Sequence, residues 1–291
     1  MSKRLALTPY LFLAPALAVI TVFVLYPIIA VVYYSFTNYD IVNPPMWVGL
    51  QNYVQLWNDP IFWQALLHSF IYLLVTPILI FLSILLAIIV NRQLPGISFF
   101  RSLYYIPVIS GSIAVGIAWQ LLWNTNGLFN SALIWLGVIQ QPIQWLAEPK
   151  LTLPIAMLLT VWLGLGYYMM IFLAGLQNIP EELYDAAVMD GANGWQKHWH
   201  VSFPGLRPQI TFVAVISSLA ALEVFNEVYV LFGALGGILN SGVTIVFYLW
   251  QTAFRQQHAG YASALAIALL VITLAFSVVN IRYLERGTEA E

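Results

Sequence analysis

The sequence predicts an all-α polytopic membrane protein with six transmembrane helices. Three observations carry that prediction: 61% of the 291 residues are hydrophobic, only 8% are charged, and the charges fall in short clusters. A soluble domain carries roughly a quarter charged residues, whereas this chain has a mean hydropathy of +0.84. No Asp, Glu, Lys or Arg occurs in 5–39, 60–91, 102–147, 151–180, 228–254 or 256–281. A spanning helix needs about 20 mostly apolar residues to cross about 30 Å of hydrocarbon, which most of these gaps can supply. The apolar runs are continuous and do not alternate, which selects helices over a barrel.

Taken in order, the spans are predicted at about 9–35, 65–91, 100–123, 152–176, 208–233 and 261–284. The first follows Lys3 and Arg4 and contains "APALA", features of a cleavable signal peptide. Its apolar run continues to Phe36, too long for a signal-peptide core, so it reads as an uncleaved span. Pro15, Pro27, Pro77 and Pro107 sit within or near the ends of spans. Each removes a backbone donor and kinks its helix, which a membrane tolerates where neighbours repair the loss. The segment 124–150 carries turn residues (Asn124, Asn126, Gly127, Pro142) and several aromatics. It is too short to be a domain and reads as a cap packed on the surface. The whole chain, 1–291, reads as a single transmembrane domain.

Orientation follows from the basic residues. With the N-terminus inside, eight of the ten lie in inner segments: Lys3, Arg4, Arg92, Arg101, Lys197, Arg207, Arg282 and Arg286. Only Lys150 and Arg255 lie outside. This positive-inside bias predicts a multi-pass protein of the cytoplasmic (inner) membrane with both termini cytoplasmic. Reporter fusions after Lys3, Gln51, Arg101, Gln140, Lys197, Gln256 and Glu289 should therefore alternate inside and outside, starting inside. Two consecutive fusions on the same side would remove the six-span topology.

Several function classes are excluded. The chain has no cysteine, hence no disulfide or thiolate metal site. None of its three lysines follows a glycine, so it lacks the GxxxxGK[ST] loop that cradles ATP phosphates. A net charge of −2 without a basic tract argues against nucleic acid. His198 and His200 are two apart, point to different sides of a helix, and do not make a metal pair. No credible nucleophile and base suggest an enzyme within the membrane.

One polar stretch, about 178–207, interrupts the apolar pattern and contains "YDAAVMDGANGWQKHWHVSFP". Asn178 is expected to cap a helix, with Pro180 in its first turn and Glu181 in capping-box position. Asp190-Gly191 should end that helix, with Gly191 at positive φ. Asn193 should cap a second helix carrying Trp195 and Trp199 at i and i+4, and Pro204 should stop it. Two short helices joined by a glycine bend make a docking knob, with Trp195 and Trp199 as candidate anchors.

This stretch resembles the EAA loop of ABC importer permeases: EAA, two residues, DGA, then an aromatic, an aliphatic and a closing proline. Asp185-Ala186-Ala187, Asp190-Gly191-Ala192, Trp199, Val201 and Pro204 fall on those positions, with Asp185 where the family usually has Glu. Further segments resemble carbohydrate-uptake permeases of the maltose and glycerol-phosphate type, in particular the first permease of the pair. They are "LTPYLFLAPALAVITVFVLYPIIAVVYYSFTNY", "FRSLYYIPVISGSIAVGIAWQLLWNTNGLFN" and "FGALGGILNSGVTIVFYLWQTAFRQQHAGYASALAIAL", with Ile238 where a proline is expected. The resemblance implies a type I importer fold and a permease subunit that carries a sugar or sugar-like solute. It also implies a second permease subunit, an extracytoplasmic solute-binding protein, and two cytoplasmic ATPase subunits that bind the ATP and Mg. No cofactor is expected in this chain.

Ionisable groups inside a span are costly and usually face a cavity or a partner. Glu223, Asn226 and Glu227 in "LEVFNEVY" are expected on one helix face of the fifth span, lining the solute path or bonding another helix. Trp162, Tyr167 and Tyr168 of the fourth span are candidates to offer flat faces to a sugar ring. Two other readings stay open: an ion-coupled secondary transporter using Glu223 and Glu227, and an importer permease for a solute that is not a carbohydrate.

Overall fold

The structure is a computed structural model that describes residues 8–91 and 96–285; Lys3, Arg4, Arg92 and Arg286, counted above for orientation, lie outside the described residues. By length and composition, four helices can cross a membrane: Pro9–Ser35, Pro60–Val90, Pro149–Gln177 and Ala259–Asn280. Counting each of two bent pairs as one span raises the number to six: Phe99–Ile109 with Ser112–Trp135, and Gly194–Gly205 with Arg207–Leu222.

Proline explains the irregularities of the first two spans. The first is α-helical over Thr8–Ile20, widens to a π-turn over Thr21–Leu25 just before Pro27, and resumes as Tyr26–Ser35. The second breaks between Pro60–Tyr72 and Val75–Val90. Pro77 cannot donate to the carbonyl of Leu73, four residues before it, and the break falls there. At the far end, Arg101 donates to the Val90 carbonyl through Nη2 (2.7 Å) and Nε (3.3 Å). This places a cation on a helix C-terminus and joins the second span to the start of the third.

The third and fifth spans depart from expectation. The predicted continuous helix 100–123 is broken at Ser110–Gly111, both extended (ψ 135° and 127°), with a 97° bend between its halves. Pro107 lies one turn ahead, and Ser110 closes the first half twice over on the Ile106 carbonyl, through its backbone N (3.1 Å) and its Oγ (2.8 Å). The predicted helix 208–233 ends at Leu222 and restarts as Asn226–Phe232. Between them Phe225 has φ −138° and ψ −53°, and the Val224 carbonyl accepts a hydrogen bond from Thr244 Oγ1 (2.8 Å). A membrane admits non-helical backbone when another part of the protein satisfies it.

The described chain divides into two compact units. One holds residues through Phe62 together with Tyr248–Ile272. In it a short hairpin pairs Thr37–Asn38 with Met46–Trp47, and Asn52 Nδ2 donates to the carbonyls of Ser35 and Thr37 (both 2.9 Å). The Asp59 carboxylate accepts hydrogen bonds from the phenols of Tyr248 and Tyr261. Gly260 lies so near the hairpin that a Cβ would sit 2.1 Å from the Thr37 carbonyl oxygen.

The other unit holds Trp63–Phe247 and the chain from Thr273. Its core is the long helix Pro149–Gln177, whose Leu159, Met169 and Phe172 are fully buried. Small residues let neighbours approach this helix: a Cβ on Gly166 would lie 2.0 Å from the Tyr104 carbonyl oxygen. Within 124–150, a helix Leu128–Trp135 is tied down by buried Asn130, whose Nδ2 donates to the Thr125 and Ile143 carbonyls. Its Oδ1 accepts from the Trp145 indole (2.8 Å).

Candidate functional site

The first candidate site is a cavity of about 410 Å³ in the larger unit. Both helix breaks border it. Ser110 and Ser112 flank the break of the third span, and Glu227 sits just after the break of the fifth. The fourth span contributes Thr160, Tyr167 and Tyr168, and the fifth contributes Ser217. The unwound backbone thus admits polar groups where two continuous helices would have closed on one another.

Of the predicted path residues, Glu227, Tyr167 and Tyr168 line this cavity. Glu223 and Asn226 do not, and the expectation that 223, 226 and 227 share a helix face is corrected. Glu223 is the C-cap of Arg207–Leu222, Asn226 opens the next helix, and neither is buried. An unwound turn between them destroys the 3.6-residue register that would align them. Trp162 faces elsewhere: it tilts against Trp119 (centroids 5.9 Å) and lines a separate apolar hollow with Tyr104 and Pro107.

Ser110, Thr160 and Ser217 were not expected from the sequence. Small hydroxyl residues in spans are common, and only the packing separates those at a cavity from those that serve their own helix. Here they do both. Ser110 Oγ donates to Ile106 O (2.8 Å), Ser217 Oγ to Val213 O (2.6 Å), and Thr160 Oγ1 to Ala156 O (3.1 Å). Thr160 Oγ1 also shares a hydrogen bond with the buried Tyr72 phenol (2.6 Å).

The second candidate site is the polar stretch. Its first helix is Glu181–Met189, with Glu181 and Glu182 in the first turn, where acids suit the positive end. The expected cap at Asn178 is corrected: Asn178 ends the Pro149–Gln177 helix, and Pro180, with an extended ψ of 135°, opens the next without a side-chain cap. Asn178 stands between two helix ends, and the preceding span claims it.

The helix ends in a six-residue C-terminal motif. Gly191 N donates to Val188 O (2.9 Å) and Ala192 N to Ala187 O (2.9 Å), with Gly191 at φ +81°. Asn193 then caps Gly194–Lys197 in a full capping box with Gln196. The expected stop at Pro204 is corrected: Pro204 lies inside the short helix Phe203–Gly205, and the chain bends by 66° where Arg207–Leu222 begins. Proline fits a first helical turn, where its missing donor has no role.

Tyr184 Oη and His198 Nδ1 both share hydrogen bonds with the buried Ser202 hydroxyl (2.9 and 3.0 Å), joining the two helices. Asp185, Ala186, Asp190 and Gly191 are exposed, while Ala187 and Ala192 are half-buried. Trp195 (69% exposed) and Trp199 (58% exposed) share one helix face and line a small apolar hollow with Phe81, Leu85 and Ile88 of the second span. The hollow covers only part of the two rings, so both tryptophans stay open on the surface, as does Glu181–Met189, none of whose residues is buried.

Comparison with known proteins agrees with this architecture. The family described as "Binding-protein-dependent transport system inner membrane component" matches residues 5–288. The lactose transport system permease protein LacF of Rhizobium radiobacter is 35% identical over 273 residues, 92% of this chain and 91% of that one. The arabinooligosaccharides transport system permease protein AraP of Bacillus subtilis is 37% identical over 285 residues, 97% and 89%. In fold, the chain is similar to a chain of a bacterial ABC transporter involved in the import of the acidic polysaccharide alginate. The TM-score is 0.84 at 22% identity, covering 95% of this chain and 94% of that one.

Proposed function

The chain belongs to the inner membrane components of binding-protein-dependent transport systems, and on that premise we propose that it carries a neutral sugar or oligosaccharide through the cavity beside Glu227. It is the permease subunit of an ABC importer. In this reading an ATPase subunit docks on the exposed helix Glu181–Met189, a second permease completes the membrane pair, and an extracytoplasmic binding protein delivers the solute. Asp185 and Asp190 offer charge to the ATPase, and the alanines between them let its backbone approach. Trp195 and Trp199 hold the knob at the membrane surface, where aromatic rings favour the headgroup level.

The observation that carries the solute reading is the cavity itself. Polar oxygens and the rings of Tyr167 and Tyr168 share a space of about 410 Å³, large enough for one or two sugar rings. Aromatic faces cover the apolar side of a sugar ring while oxygens meet its hydroxyls. The names of the relatives, for lactose and arabinooligosaccharides, support the same solute class.

The test is uptake into proteoliposomes holding the whole complex, with lactose, maltose and arabinotriose as probes. Tyr167→Ala should lower uptake by about three- to tenfold, the loss of one stacking face. Glu223→Ala, outside the cavity, should leave uptake within about twofold of wild type. Equal effects of the two substitutions, with the complex intact, would remove the cavity as the path.

A further inference from the structure

We propose that the cavity selects solutes by charge: Glu227 stands in its wall with no basic side chain beside it among the described lining residues, so it takes neutral polyhydroxyl solutes and turns away sugars bearing carboxylate or phosphate. The proposal rests on reading the cavity as the solute path. It follows from the charged group in the wall and from how the hydroxyls around it are bonded.

Ser110, Thr160 and Ser217 each spend their hydroxyl proton on a carbonyl of their own helix. What each has left for a solute is a lone pair. Thr160 Oγ1 is occupied further by the hydrogen bond it shares with the Tyr72 phenol. Glu227 is a carboxylate with acceptor capacity only when ionised, and no basic side chain is among the described residues lining the cavity.

A carboxylate within a span persists where it faces a cavity or a partner, and Glu227 has the cavity. A sugar hydroxyl can donate to such a wall and gain what its lost hydration cost. A uronate or sugar phosphate could take hydrogen bonds from the hydroxyls of Ser112, Tyr167 and Tyr168, but it finds no cation in the wall and meets the Glu227 charge at close range.

The natural chain has no cysteine, which makes the charge of the cavity directly readable. Ala220 lines the cavity and is exposed, so Ala220→Cys provides one small reporter thiol. Three methanethiosulfonates of similar size serve as probes on the assembled complex: neutral hydroxyethyl, cationic trimethylammonioethyl and anionic sulfonatoethyl. Rates are normalised to a free thiol.

The cationic reagent should react at least about tenfold faster than the anionic one, and Glu227→Gln should bring the ratio to within about threefold of one. Glu227→Asp should retain the preference. A ratio below threefold with Glu227 in place overturns the selection, whether or not Glu227→Gln assembles, and so does a ratio that survives Glu227→Gln. The neutral reagent separates this from the path reading: in the Ala220→Cys variant it should modify the reporter thiol and abolish uptake of lactose, maltose and arabinotriose. If it reacts and uptake persists, the path reading falls and the selection falls with it. A blocked path with no charge preference overturns the selection alone.

Discussion

Gly191→Val is expected to leave the chain folded in the membrane and to release its ATPase partner. Gly191 holds φ +81°, and a Cβ built there has nothing within 4 Å. Steric crowding by neighbours is therefore no part of the effect; the whole cost is backbone conformation. A β-branched residue in the left-handed region costs on the order of 1–2 kcal/mol, and the chain can relieve it only by leaving that region. Doing so breaks the hydrogen bonds of Gly191 N and Ala192 N that close the Glu181–Met189 helix. The helix would then meet the Asn193-capped segment at a different angle, and force from the ATPase would be applied to a misplaced surface. Gly191→Asn should be far milder, because asparagine tolerates positive φ. Co-purification of the ATPase subunit and transport-linked ATP hydrolysis check this, with at least a tenfold loss expected for valine and less than threefold for asparagine. Wild-type transport by Gly191→Val would show that this bend does not couple the two subunits.

Gly166→Leu is expected to cut assembly sharply. The Cβ position at Gly166 lies 2.0 Å from the Tyr104 carbonyl oxygen and 2.9 Å from its carbon. Both are backbone atoms, so no side chain can rotate aside and the third and fourth spans would have to separate. Overpacking in a core costs about 1–3 kcal/mol even where neighbours relax, and here the lost contact is the close approach on which helix association in lipid depends. Yield of monodisperse protein in detergent should fall at least tenfold, and Tm should drop in any fraction recovered. Gly166→Ala carries the same Cβ with less bulk beyond it and should be recovered, at a lower Tm. Because Tyr167 follows in the same helix and lines the cavity, that variant should also transport more slowly. Wild-type yield and Tm for Gly166→Leu would contradict the packing.

Much of the local chemistry of the polar loop was readable from adjacent residues. Asp190-Gly191 ends a helix at positive φ, and Asn193 opens the next with Gln196 completing the box. Both outcomes depend on a few adjacent residues, so a linear pattern holds them. Asn178 shows the limit of such patterns. A good capping residue stood at two helix boundaries at once, and the end of the Pro149–Gln177 helix took it.

The sequence alone determined that this chain spans a membrane, about where its helices run, and which polar loop lies between the fourth and fifth spans. Those properties follow from hydrophobicity summed over about 20 residues and from turn geometry, both local in the chain. Tertiary structure decided where the third and fifth spans break and therefore where the cavity lies. "LEVFNEVY" holds neither Gly nor Pro to announce an unwound turn. The turn at Glu223–Phe225 has a partner for its backbone in Thr244, twenty residues downstream of the Val224 carbonyl it serves. The same non-local partnership separates Glu227 from Glu223. Once the helix is interrupted, only the carboxylate beyond the break reaches the space between the second, third, fourth and fifth spans, because inside a bilayer a freed carbonyl must find its hydrogen bond within the protein.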